Sequence, residues 1–346
     1  MNVPQRYKTH LETTGISPPT PADAGRRARP VVDWLVEADQ PSMRFLTLTQ
    51  LLQRSSSASE ALRARRKIPT RGWVRDLLAK QKEGAYWVYP KSCYHPKYTG
   101  TVWTLQLLAV LGMDGADSRI RNSCERFLGI HMMPDGGYAC GIHSRRFSEE
   151  CLTGRMTAVL VEFGYAIEDP RIWNAFEWLL ENQLEDGGWN CRHGPKVYHS
   201  SIYSTYMALW AFSKIPAQQA NASIRKAVKK GVEFMLAHRL FKSHTTDEII
   251  RRDWLRFSFP PNIAYDILQG LKLMTDLGVD RDKRLKDALD LVESKKLPDG
   301  RWALDAVPSP KKDKTSELTI ELESKGKPSK WITLNSLIVL SRTGRM

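Results

Sequence analysis

Residues 179–189, LLENQLEDGGW, carry the reading of the fold. An amphipathic run closes at Leu179 and Leu180, and Asp186, Gly187 and Gly188 then break it just before an aromatic ring. Related phrases lie on both sides: LLAKQKEGAYW (77–87), FLGIHMMPDGGY (127–138) and LVESKKLPDGRW (291–302). With Tyr86, Tyr138, Trp189 and Trp302 as markers, the intervals are 52, 51 and 113 residues. The last is about twice the others, so a degenerate copy is expected between them, and VEFMLAHRLFKSH (232–244) occupies that place. Five units of about fifty residues read as one repetitive domain.

Each unit holds two helices of different character. Before the turn, segments such as 118–131 and 171–183 place Ile120, Cys124, Phe127, Leu128 and Ile172, Phe176, Leu179, Leu180 at helical spacing opposite a charged face. After the turn, segments 98–111, 151–163, 200–214, 260–277 and 331–341 are apolar or small around most of their circumference. The first kind predicts half-exposed outer helices and the second predicts inner helices buried from both sides. Gly112, Gly164 and Gly278 close three inner segments, and an acidic residue opens the next outer helix soon after. Inner and outer helices alternating in this way close into an all-α, α/α toroid. Every outer-to-inner turn then lies at one end, so the loops 84–97, 136–150, 187–199, 239–259 and 300–330 crowd a single rim. Residues 70–346 make up this toroid of about five repeats; 31–69 read as a helical cap and 1–30 as a disordered N-terminal segment. The charged loop 306–330 reads as disordered or as a lid.

The composition agrees with a globular protein. Of 346 residues, 42% are hydrophobic and 26% charged, which excludes disordered, collagenous and disulfide-framework classes. Five scattered cysteines, Cys93, Cys124, Cys140, Cys151 and Cys191, do not suit a secreted disulfide scaffold. No run reaches the ~20 apolar residues of a membrane span, and MNVPQRYKTHLE lacks the apolar core of a signal peptide, so the expected location is the cytoplasm. Short basic clusters give a net charge of +14, which favours anionic partners and is compatible with peripheral membrane contact. No helix-turn-helix, zinc-finger or stacking-platform signature points to nucleic acid.

With Leu179, Gln183, Gly187 and Trp189 in its pattern positions, LLENQLEDGGW resembles the QW-type repeat of squalene and oxidosqualene cyclases. The repeats together resemble the toroids of the terpenoid-cyclase and protein-prenyltransferase superfamily, over residues ~70 to 342. The resemblance implies an isoprenoid-handling enzyme, a transferase or a cyclase, acting on a prenyl diphosphate or a long apolar substrate in the central cavity. Class II cyclases protonate an alkene with a DxDD motif; none occurs here, and the chain is about half as long as the two-domain cyclases. Asp266, in NIAYDILQGL, is the one Asp deep in an inner segment, and it reads either as a lone catalytic acid or as a helix-end carboxylate. Tyr203 is the second candidate catalytic residue.

Protein prenyltransferases bind catalytic zinc through an acidic residue, a cysteine two positions later and a histidine at another inner-helix start. FSEECLTG and KVYHSS would supply Glu149, Cys151 and His199 for that role, with Glu in place of the usual Asp. An alternative set is Cys151, Cys191 and His193, with Cys140 nearby; two cysteines and a histidine at a toroid rim also resemble the zinc site of lanthionine synthetase cyclases. Arg145, Arg146, Arg251 and Arg252 stand where the family holds a diphosphate. Trp103, Tyr206 and Trp210 are expected to line the isoprenoid tunnel. A partner subunit, as prenyltransferases require, is a further implication of the resemblance. The rival readings are a non-catalytic toroid that binds lipid or protein, and a carbohydrate lyase using His199, Tyr203 and Arg146.

Overall fold

The structure, a computed structural model, describes residues 29–141, 147–191, 199–261, 265–308 and 322–346. Arg145, Arg146, His193, most of the 1–30 segment and the middle of the 306–330 loop lie outside them.

Helices α1 (Arg29–Leu35), α2 (Pro41–Leu46), α3 (Ser59–Lys67) and α4 (Gly72–Leu78) come first, with α2 continuing into a wide turn over Thr47–Leu51. Inner and outer helices then alternate: α5 (Thr101–Val110), α6 (Ser118–His131), α7 (Glu150–Glu162), α8 (Pro170–Glu181), α9 (Ile202–Phe212), α10 (Ala222–Ala237), α11 (Ile267–Asp276), α12 (Lys286–Ser294) and α13 (Lys330–Arg342). The described residues contain only isolated β-bridges and no β-strand.

The inner helices α5, α7, α9, α11 and α13 pack side by side in that order, and α13 packs on α2 and the turn that follows it. Phe45 of α2 lies against Gly112 at the end of α5, so α2 fills the place between the last repeat and the first. The ring is closed, and the fold is an α/α toroid. Four inner helices match the expected segments to within three residues, because a helix covered on both sides must be apolar almost all round, whereas α11 starts at Ile267, seven residues after the expected 260.

Local chemistry at the helix ends explains the regular alternation. Asp117, Asp169 and Asp282 accept the backbone N–H two residues on, at 2.9, 3.0 and 2.8 Å. The arginine at that position, Arg119, Arg171 or Arg284, folds its guanidinium back onto the same carboxylate. This Asp-x-Arg clasp satisfies an orphan donor and puts negative charge at the helix N-terminus. Gly112, Gly164 and Gly278 take φ of +77°, +86° and +81° just after the inner helices. A Cβ would strain that left-handed turn.

The repeat turns follow one hydrogen-bond plan. The indole Nε1–H of Trp87, Trp189 and Trp302 donates to the carbonyl ten residues earlier, on Leu77, Leu179 and Val292, at 2.9, 2.7 and 2.7 Å. The backbone N–H of Trp87, Tyr138, Trp189 and Trp302 donates to the hydroxyl of Thr101, Thr153, Thr205 and Thr333 in the following segment. The first-repeat marker is therefore Trp87, not Tyr86. Gly84 invites an alignment one residue early, but the left-handed position two residues before the aromatic, glycine in the other three turns, is filled by Ala85 at φ +62°. Gln183 fastens its turn to the next outer helix, Nε2–H donating to Gly187 O at 2.7 Å and Ala227 O at 2.9 Å. Gln81 does the same for Arg119 O and Ser123 Oγ. The fourth unit keeps its outer helix, α10, and replaces the Gly-Gly-aromatic turn with a bridge between Lys242 and Ile249.

Candidate functional site

On three inner helices one stripe of side chains is only half-buried: Tyr203, Tyr206 and Trp210 on α9; Gln269, Lys272 and Asp276 on α11; Trp331, Asn335 and Arg342 on α13. Outer and neighbouring helices cover the other sides, so these stripes face the lumen of the ring. From Tyr203 to Trp210 the α9 stripe runs about 10 Å along the axis. The inner-helix N-termini, at the rim, carry aromatic rings and thiols. The opposite end is charged: Asp276 receives Lys272 Nζ at 2.7 Å and also the Arg342 guanidinium, and Lys214 pairs with Glu162. Burial would raise the Asp276 carboxyl, but Lys272 and Arg342 outweigh it and hold the group at about 2. Burial pushes Lys272 down, to about 8.

At the rim, the N-terminus of α7 and the turns before α7 and α9 bring three thiols into one neighbourhood. Cys140 donates its S–H to Glu149 Oε1 at 3.0 Å. Burial and that bond push the Cys140 thiol up to about 12. Cys151 donates to the sulfur of Cys191, which also meets the Ser204 hydroxyl at 3.2 Å. The Cys151 bond, opposed by burial and helped by Ser204, brings Cys191 down to about 6, while Cys151 keeps its proton. Burial pushes Glu150 up to about 8.

The expected ligand set Glu149, Cys151 and His199 does not form. Glu149 is engaged by Cys140, and His199 is exposed, with its carbonyl accepting from Asn190 Nδ2. Cys151 and Cys191 do meet, while His193 lies outside the described residues. Among those residues no three His, Cys, Asp or Glu side chains converge as metal ligands. Asp266 is not deep within its helix but caps it: the carboxylate accepts from the N–H of Gln269 and of Ser258, the Ser258 hydroxyl and the Gln269 amide, at 2.8 to 3.1 Å. Burial raises its pKa even so. Arg251 and Arg252 stand exposed at the start of the short turn Arg252–Leu255.

Tyr203, Tyr206 and Trp210 lie on the half-buried stripe of α9 and Trp103 is fully buried; Trp103 and Tyr203 meet at a residue the sequence reading did not single out. Arg155, on α7 one turn after Cys151, is 2% exposed. Its guanidinium stacks over the Trp103 ring at 4.7 Å and donates from Nη2 to the Tyr203 hydroxyl. The Tyr94 ring lies 5.1 Å from Trp103, whose indole N–H donates to Tyr94 O at 2.7 Å, and Tyr98 adds a third ring at 5.7 Å. Deeper in, Tyr206 meets Tyr265 at 5.5 Å, and Tyr265 meets Trp254 at 5.2 Å. The signal for Arg155 was present in the sequence: ECLTGRMTAVL puts one cation inside an otherwise apolar inner segment.

Residues 145–235, which hold α7, α8, α9, Arg155 and the Tyr203–Trp210 stripe, match the family model of the squalene-hopene cyclase C-terminal domain. Over 77 residues the chain is 32% identical to squalene–hopene cyclase of Zymomonas mobilis, a match covering 22% of this chain and 11% of that protein. Among solved structures, a protein from Actinoplanes is similar at 16% identity and a TM-score of 0.44, covering 94% of this chain and 99% of that one. Type II terpene cyclase MstE from Scytonema, without ligand, is similar at 16% identity and a TM-score of 0.44, covering 89% and 87%. The resemblance to terpenoid cyclases read from the repeats is thus found again in the family model, over the rim that carries Arg155 and the thiol pair.

Proposed function

We propose that this chain is an isoprenoid-handling, terpene-cyclase-like enzyme that holds a long apolar substrate in the lumen of its toroid. The observation that carries this reading is the aromatic stripe of Tyr203, Tyr206 and Trp210 on α9, with Tyr265 against Tyr206, the stripe lying within the region that matches a squalene-hopene cyclase domain. Ring faces attract positive charge, so such a stripe suits a polyene chain and the cationic character that develops when it reacts. A substrate that fills the lumen displaces the water that would otherwise quench that charge. The groups that would start the reaction are weak acids: Asp266 is a fully bonded helix cap, and Glu150 keeps its proton up to about pH 8. Binding and reaction are therefore tested separately.

Purified protein titrated with squalene, geranylgeraniol and geranylgeranyl diphosphate should show saturable quenching of tryptophan fluorescence. Trp210→Ala should weaken binding about tenfold, the worth of one buried aromatic contact. Mass spectrometry of the extracted lipid then reports conversion. Saturable binding with no product would favour a non-catalytic lipid-binding toroid. Absence of binding by all three would overturn the isoprenoid reading.

A further inference from the structure

Arg155 has unused capacity. It is 2% exposed, and its Nη1 finds no hydrogen-bond acceptor among the described residues. No Asp or Glu among them forms an ion pair with it; its neighbours are the Trp103 face and the Tyr203 hydroxyl. Cys151 feels the Arg155 charge, but its bond goes to Cys191, which in turn meets Ser204. A guanidinium is always protonated, and one buried without an acidic partner is costly to the fold. Proteins keep such a group where something else completes it. Tyr203 adds a second donor: its oxygen accepts from Arg155, so its own O–H proton is left to point elsewhere. Two adjacent donors, one of them cationic, match the two oxygens of a carboxylate.

We propose that Arg155 and Tyr203 form a receptor for a singly charged oxyanion, the carboxylate head of the apolar molecule in the lumen. The charge balance selects the class. One guanidinium neutralises one carboxylate, whereas a diphosphate brought to the same place would carry more negative charge than Arg155 alone offsets. The head would sit at the rim beside Trp103, with the tail passing Tyr206 and Trp210 along the α9 stripe. This inference rests on the proposed function for the nature of the tail, and its test separates the two.

The full chain is titrated at pH 7.5 with geranylgeranoic acid, geranylgeraniol, geranylgeranyl diphosphate and palmitate. The acid should bind at least tenfold more tightly than the alcohol. Arg155→Gln should abolish that preference and leave alcohol affinity within about twofold, Arg155→Lys should keep part of it, and Tyr203→Phe should weaken the acid alone by several-fold. Equal affinities in the native protein, or a preference that survives Arg155→Gln, overturn the proposal. Tighter binding of the diphosphate through Arg155 overturns the single-charge assignment. If circular dichroism shows that Arg155→Gln does not fold, Tyr203→Phe decides, and an unchanged preference there overturns the receptor. Arg155-dependent binding of palmitate with no binding of any isoprenoid would uphold the oxyanion receptor and remove the isoprenoid reading; no binding of any probe would remove both.

Discussion

Cys191 is half-buried, accepts a hydrogen bond from Cys151 and meets the Ser204 hydroxyl, an arrangement that favours its thiolate. The thiolate is the reactive form, so alkylation should follow its population. Iodoacetamide should modify Cys191 with a rate that rises through about pH 6 and levels off above pH 7, as peptide mapping would show. Cys151→Ala removes the donor and should shift that midpoint upward towards an ordinary thiol near ~8.5. An identical profile in the variant would refute the shared-proton account. The pairing of Cys151 with Cys191 was legible only as one of two alternatives. The residues lie in adjacent repeats, and which rim group Cys151 reaches is set by side-chain direction at the start of α7, a detail that spacing does not encode.

At the scale of the element, the turn is held by backbone groups at least as much as by its aromatic ring. Thr205 Oγ1 accepts the Trp189 N–H at 3.0 Å in a fully buried setting. Thr205→Val keeps the volume and leaves that N–H without a partner, which should cost about 1 to 3 kcal/mol. Urea denaturation should show the loss as a lower midpoint with an unchanged slope. The glycine and aromatic residues of the turns were readable because they obey a local rule. Their threonine partners were not, since each sits 14 to 31 residues later and nothing local marks it. The one-residue error at Tyr86 has the same origin: the turn requires a left-handed backbone, not glycine as such, and Ala85 meets the requirement.

At the scale of the whole molecule, the ring closes where residues from distant parts of the chain meet. Glu323 accepts the backbone N–H of Lys330 at 2.7 Å and the Ser329 hydroxyl, fixing the start of α13. Burial raises its carboxyl to about 7. The folded protein therefore keeps a proton that the unfolded chain releases near ~4.3. Linkage then makes this group's contribution complete below that value and steadily smaller as pH rises towards about 7. Denaturant midpoints of the native protein and Glu323→Gln, measured at pH 4.5 and 7.5, should converge at the lower pH and differ at the higher, with the variant more stable there. The alternation of helices, and so the toroid, was legible because burial on both sides leaves a compositional mark. The charged end of the lumen was not, because Asp276 and Arg342 come together from helices 66 residues apart.

The join between α13 and the first helices has a meaning beyond stability. Lys330 reaches Glu37 at 2.7 Å and Asp39 at 3.3 Å, Arg301 stacks on Trp34 at 4.8 Å, and Phe45 abuts Gly112. An open solenoid can gain or lose a unit at little cost, because its ends never have to agree. Here they must agree, so the circumference counts the units. A duplication or deletion of one fifty-residue segment would alter the angle each unit subtends, and these partners would miss one another. Variation in this lineage should accordingly collect in rim-loop length and leave the number of helical units fixed.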